Sequence, residues 1–275
     1  MNIFELLLIR PLINVLVAIY HGLVYAHIPF ALGFSIILST ALIRLVLYPF
    51  ISTQLKFSKK MQEIQPHLSR LKEKHKGDPK RAQVEQMALY KEHGVNPASG
   101  CLPFIIQIVL LLGFYNAIFK VIALKPKEAI AVINKIAYFD FLKLNHAWDT
   151  NFFGLPLIKS PAELVGSVGF IIVLIPLVTV VLQLIQTKMM TPEQATKIIP
   201  AKSSGKKEEP DFAQTMQSQM LLIMPLGIGF VSYRFALGLS LYWNTFTIFG
   251  IIQQYQIQGL GGLSDWLNKV KWKKQ

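Results

Sequence analysis

Long apolar runs alternate with polar stretches along the chain. A hydrocarbon core of about 30 Å takes about 20 helical residues. Phe30–Ile51 has that length and one charge, Arg44, while Cys101–Phe119 and Leu164–Ile185 have it and no charge. Met220–Tyr255 is too long for one crossing, and its single charge, Arg234, stands just before Gly238. It reads as two spans joined by a tight turn over Arg234–Gly238, which makes five spans. The N-terminal run, Ile3–Tyr25, differs. Its first charge is Glu5, so it lacks the basic start of a secretory signal. Arg10, Asn14 and His21 fall within about 40° of one another on a helical wheel. A polar stripe on an apolar helix predicts a segment lying in the membrane interface, with a sixth span or an uncleaved signal anchor as the alternative.

The polar stretches have patterns of their own. Phe57, Met61, Ile64, Leu68 and Leu71 recur at spacings of 4, 3, 4 and 3, the stripe of an amphipathic helix. Pro66 inside it predicts a kink. Gly77 stops the helix, and Asp78-Pro79 supplies an N-cap and a first-turn proline for a second helix through Val84, Met87 and Lys91, ended by Gly94. The pair reads as a helical hairpin and, on its charged faces, as a docking surface for a partner or for anionic lipid. Ser203–Pro210 reads as a linker. The tail after Gly261-Gly262 combines Trp272 with Lys269, Lys271, Lys273 and Lys274, suited to lipid headgroups or ribosomal RNA.

Composition settles the class. Of 275 residues 52% are apolar and 16% charged, yet the net charge is +13, and mean hydropathy is +0.42. This excludes a disordered chain, and a single cysteine, Cys101, excludes a disulfide scaffold. Residues 53–98, 187–218 and 259–275 hold 19 of the 28 Lys/Arg. The positive-inside rule puts them in the cytoplasm, with the N-terminus outside. The expectation is an all-α integral membrane protein with an interfacial amphipathic helix over 1–29 and spans over 30–52, 99–121 and 163–186. A cytoplasmic helical hairpin occupies 53–98, an extracytoplasmic loop 122–162 and a cytoplasmic linker 187–218. A two-span hairpin over 219–258 and a basic cytoplasmic tail over 259–275 complete the chain.

Arg44 is the chemically informative residue. It lies about 12 Å inside the cytoplasmic end of its helix at Ser52, deeper than snorkelling covers. No acidic residue lies well inside any predicted span. A charge there costs several kcal/mol unless it faces a water-filled cavity or an anionic visitor. Gln107, the face Thr179–Gln183–Gln186 and the face Ser240–Asn244–Thr247–Gln254 add neutral polar groups. Each alone reads as an interhelical hydrogen bond; with Arg44 they outline a polar groove open to the cytoplasm. No catalytic, metal-ligating or cofactor-binding pattern stands out. His67, His75 and His93 belong to the hairpin, and neither HExxH nor a phosphate loop occurs.

Three stretches resemble the YidC-type membrane protein insertases. Ala41–Pro49 is similar to the family's first core helix with its intramembrane arginine. Gly94-Val95-Asn96-Pro97-Ala98-Ser99-Gly100-Cys101-Leu102-Pro103-Phe104-Ile105-Ile106-Gln107, followed by Phe114-Tyr115, is similar to the start of its second. Gly238-Leu239-Ser240-Leu241-Tyr242-Trp243-Asn244, ending in Ile252-Gln253-Gln254, is similar to its last. The resemblance covers roughly residues 30–258. It implies a bacterial plasma-membrane insertase that accepts hydrophobic segments of nascent membrane proteins and releases them into lipid without nucleotide hydrolysis. It also implies that Arg44 and Gln183 line the groove and that Tyr242 and Trp243 line a greasy slide. The ribosome, the Sec translocon and anionic lipids are the expected partners. The sequence has Ala236 where the family usually has proline, and it resembles the short form without a lipobox cysteine or a large extracellular domain. A transporter or channel using Arg44 as an anion site is the alternative, although transporters usually show internal repeats and none is visible here.

Overall fold

A computed structural model describes residues 3–75, 77–94, 108–109, 112–117, 119, 126–191 and 212–264. A π-turn at Glu5–Ile9 leads into α1 (Arg10–Tyr25), followed by α2 (Ala31–Val46), α3 (Tyr48–Lys74), α4 (Pro79–Glu92) and α5 (Pro126–Ile136). A two-stranded antiparallel ribbon follows, β1 (Asn151–Phe152) with β2 (Leu155–Pro156), in which Asn151 faces Pro156. Then come α6 (Pro161–Val168), α7 (Leu174–Met190), α8 (Phe212–Arg234) and α9 (Leu237–Gln258). The helices fall into two units. The first comprises Met1–Leu47, Ile106–Leu182 and Pro225–Phe249; the second comprises Tyr48–Ile105, Gln183–Met224 and Gly250–Gln275.

Among the described residues two helical stretches of 21 residues are long and apolar enough to cross a membrane, Glu5–Tyr25 and Phe170–Met190. A third is obtained if Ala31–Val46 and Tyr48–Leu71, bent by 65° at their junction, count together. Leu222–Arg234 is a shorter apolar helix. α9 is 22 residues long, but its hydroxyl and amide side chains keep it outside that set. Most of the expected span 99–121 lies outside the described residues. Glu5–Tyr25 is long enough to span, so length does not separate the interfacial reading from the spanning one.

In the first unit, α2 is an apolar helix whose hydroxyls bond back to its own carbonyls: Ser35 to Ala31 at 2.6 Å and Thr40 to Ile36 at 2.6 Å. This is how such groups are satisfied away from water. The sharp bend follows at Leu47, beside Pro49, which has no amide hydrogen to continue the ladder. α3 runs on unbroken through Pro66. Ser160 and Glu163 form a reciprocal capping box at the start of α6. Gly169, at φ +84°, ends that helix. The expected span 163–186 is therefore broken near its start, and the apolar run proper begins at Phe170.

Residues 126–157 are folded against α1 in one core. Ile13, Leu16 and Val17 of α1 join Ile133, Ile136, Leu142 and Trp148. Asn14 is turned into this core. Its Nδ2 donates to Arg10 O at 2.8 Å and Ile136 O at 3.0 Å, and its Oδ1 accepts from Tyr138 N at 2.8 Å. The Arg10–Asn14–His21 stripe thus includes a residue that faces protein.

In the second unit α3 packs on α4 through Ile64, Leu68 and Tyr90, with Phe57, Met61 and Leu89 around them. Asp78 accepts from Arg81 N at 3.0 Å as the N-cap of α4. Val84 and Met87 are exposed, so α4 turns a different face inward. Backbone-directed amides join three helix ends: Gln62 Nε2 donates to Met190 O at 2.8 Å and Gln258 Nε2 to Leu55 O at 2.6 Å. Gly261, at φ +50°, lies so close to Met189 that a Cβ there would strike its carbonyl oxygen.

Candidate functional site: a buried arginine among aromatic rings

Arg44, in the last turn of α2, is 5% exposed. Its Nη2 donates to Phe246 O of α9 at 2.8 Å. Its guanidinium carbon stands 3.4 Å from the centre of the Phe246 ring. The cation is therefore desolvated and faces a carbonyl dipole and an aromatic face, both favourable to positive charge. One turn back on α9, Tyr242 is fully buried. Its ring stacks on Phe114 at 4.0 Å and 14°, and lies 5.8 Å from Phe246. The Tyr242 hydroxyl and Asn244 Oδ1 are buried without a hydrogen-bond partner among the described residues. Polar capacity is thus left over on α9, on which Arg44 rests.

A second polar element runs through the same unit. Thr179 Oγ1 lies 3.2 Å from Ser232 Oγ, which lies 2.9 Å from Ser240 Oγ, all three buried. This hydroxyl chain links α7, α8 and α9. The turn at Phe235-Ala236 is tied down by neighbours: Leu237 N donates to Lys159 O and Gly238 N to Leu157 O, both at 2.9 Å. Two free amides of the α9 start are thereby satisfied, so Ala236 in place of proline does not leave the turn unsupported.

The residues anticipated for the groove and slide are placed unequally. Arg44, Tyr242, Trp243 and Asn244 share the first unit. Of the two residues expected on the slide, Trp243 is half-buried and Tyr242 fully buried. Gln183 is buried and Gln186 half-buried, both in the second unit. Gln107 lies outside the described residues, as does the basic tail beyond Ser264. Phe246 and Phe114 were not anticipated. The signal for Phe246 was its position one turn beyond Tyr242 on the same helical face. Among the described residues no group of His, Cys, Asp and Glu is arranged to hold a metal.

The apolar helices and buried polar groups define a helical membrane protein with a buried arginine. A family model for the 60Kd inner membrane protein matches residues 23–261. The membrane protein insertase MisCA of Bacillus subtilis is 32% identical over 231 residues, 82% of this chain and 70% of that protein. The membrane protein insertase YidC of Cupriavidus pinatubonensis is 29% identical over 230 residues, 84% of this chain and 33% of that protein. That of Chlamydia trachomatis is 31% identical over 224 residues, 81% and 25%. The chain thus spans a quarter to a third of these YidC relatives. A crystal structure of an active YidC insertase aligns with TM-score 0.48 and 22% identity, over 86% of this chain and 46% of that one. The chain belongs to the 60Kd inner membrane protein family, that of the YidC-type insertases.

Proposed function

We propose that this protein inserts hydrophobic segments of nascent membrane proteins into the bilayer, with Arg44 as the group that receives acidic residues of the translocated tail. Arg44 carries this reading. Its desolvation cost is already met by the fold, and the contacts it makes with Phe246 are to a neutral carbonyl and a ring. A client carboxylate would replace them with a charge-assisted pair, roughly twice as strong as a neutral hydrogen bond. The Tyr242 hydroxyl, buried with an unused polar atom on the helix face that Arg44 meets, and Asn244 on the same helix supply further polar groups. Gln107, Gln183 and Gln186 are assigned to a hydrated groove on their polar positions in the sequence alone. The client's apolar segment moves along Trp243, joined by Tyr242 once Phe114 leaves its ring. Its transfer into lipid supplies the driving force, since burying apolar surface is favourable. No reaction step or cofactor is involved.

The N-terminus is placed outside and the C-terminus in the cytoplasm, in a bacterial plasma membrane. α1 lies in the outer interface, a reading supported by its hydrogen bonds to residues 136–138 and by the Tyr20–Trp148 ring contact at 5.5 Å. The α3–α4 pair and the basic tail are assigned to the ribosome or anionic lipid, and the Sec translocon is a further partner. Photocrosslinkers at Gln183, Trp243 and Arg44 test the reading with a stalled nascent membrane protein. Crosslinks to the nascent chain are expected. Their absence, together with measurable anion flux, would favour a transporter.

A further inference from the structure

The segment between α5 and β1 holds two phenylalanines away from the protein. Asn14 clamps it at one end through Ile136 O and Tyr138 N. Asn134 clamps it at the other, donating to Leu144 O at 3.1 Å and accepting from Leu144 N at 2.7 Å. Leu142 and Leu144 are buried, and the intervening 3-10 turn Asp140–Leu142 turns Phe139 and Phe141 outward, 60% and 70% exposed. Their rings stack 5.4 Å apart at 9°, and Tyr138 beside them is half exposed. A fixed aromatic pair in water leaves a large apolar area uncovered.

The surroundings indicate what covers it. Residues 120–163 hold six lysines against four acids, contrary to the positive-inside bias for an outer segment. Lys135 and Lys143 flank the pair. Lys143 Nζ meets Asp140 at 2.6 Å, which leaves ammonium donors for another acceptor. α1, to which Asn14 ties this turn, exposes Val24 and Tyr25, and the turn before it exposes Leu6 and Leu7. Aromatic rings beside lysines are the chemistry of the lipid–water boundary.

We propose that Phe139 and Phe141 sit in the outer lipid–water interface with Lys135 and Lys143 against anionic headgroups, so that residues 137–143 anchor the extracytoplasmic face. The outer placement rests on the topology proposed above. The test uses nitroxides at Phe139→Cys, Phe141→Cys and His146→Cys, each in a Cys101→Ala background, in phosphatidylglycerol-containing vesicles. Relative collision with oxygen over a water-soluble nickel chelate should be several-fold higher at 139 and 141 than at 146. Values at 141 equal to those at 146 would overturn the anchor, as would shielding from both reagents, which would mean a protein partner. Replacing phosphatidylglycerol by phosphatidylcholine should shift 141 toward water; an unchanged ratio would overturn the headgroup contact. Labelling of the His146→Cys variant in intact cells by a membrane-impermeant maleimide reads the side separately. An inward-facing thiol at position 146 would overturn the topology, and with it the outer placement, while the nitroxide ratio still reports whether the pair is in lipid.

Discussion

Two arginines show how differently the units use the same side chain. Arg44, in the first unit, is buried and meets a carbonyl and a ring of Phe246. Arg81, in the second, is 67% exposed and lies 3.3 Å from Glu85, which also meets His75 at 2.8 Å. The exposed arrangement has full opposite charges, yet water and salt screen it and its worth is small. The buried arrangement is screened much less, so a carboxylate paired there interacts more strongly than one at the surface. The stronger site for a client acid is therefore the buried one.

That contrast can be broken by substitution. Phe246→Ala removes a buried ring and the face on which Arg44 rests. It should lower stability by about 3–5 kcal/mol, read as a loss of melting temperature in detergent. No loss would mean that the ring is not part of the core. Gly261→Ala tests whether the second unit is tolerant throughout. The positive φ and the Met189 carbonyl oppose a side chain, so about 1–3 kcal/mol should be lost, whereas Arg81→Ala should cost about 0.5 kcal/mol or less.

The smallest effect is a pH dependence. Burial pushes the Glu85 carboxyl up, but the hydrogen bond and charge of His75, with Arg81 and Lys74, outweigh it and hold the carboxyl below its ordinary value. A lowered folded-state pKa contributes stability above the ordinary carboxylate range and loses it as pH falls through the lowered value. Melting of the wild type and Glu85→Gln should therefore differ slightly at neutral pH and converge in acid. A gap that widens in acid would reverse the assignment.

Local features were legible in the sequence. The Phe57–Leu68 stripe, the Asp78-Pro79 cap and the turn before Leu237 all rest on periodicity or on the chemistry of neighbouring residues. Placements that depend on distant partners were not. Tyr242 is buried because Phe114, from another part of the chain, covers its ring, and a helical wheel cannot say which face meets a partner. Asn14 looked like part of a solvated stripe until the backbone of residues 136–138 occupied it. A kink is expected at Pro66, yet α3 continues through it; the bend occurs instead beside Pro49, inside a stretch that reads as one continuous span. The arginine was conspicuous from its lone charge in an apolar run; its contact with Phe246 was not.

The central claim is that Arg44 receives client acids by charge. Insertion of matched clients with acidic and neutral translocated tails into proteoliposomes, by wild type, Arg44→Ala and Arg44→Lys, tests it most directly. A charge-assisted contact of about 1.5–3 kcal/mol corresponds to roughly a ten- to hundredfold fall for the acidic client with Arg44→Ala. The neutral client should change little, and Arg44→Lys should restore most of the acidic insertion. Equal losses for both clients, unrescued by lysine, would contradict the electrostatic role.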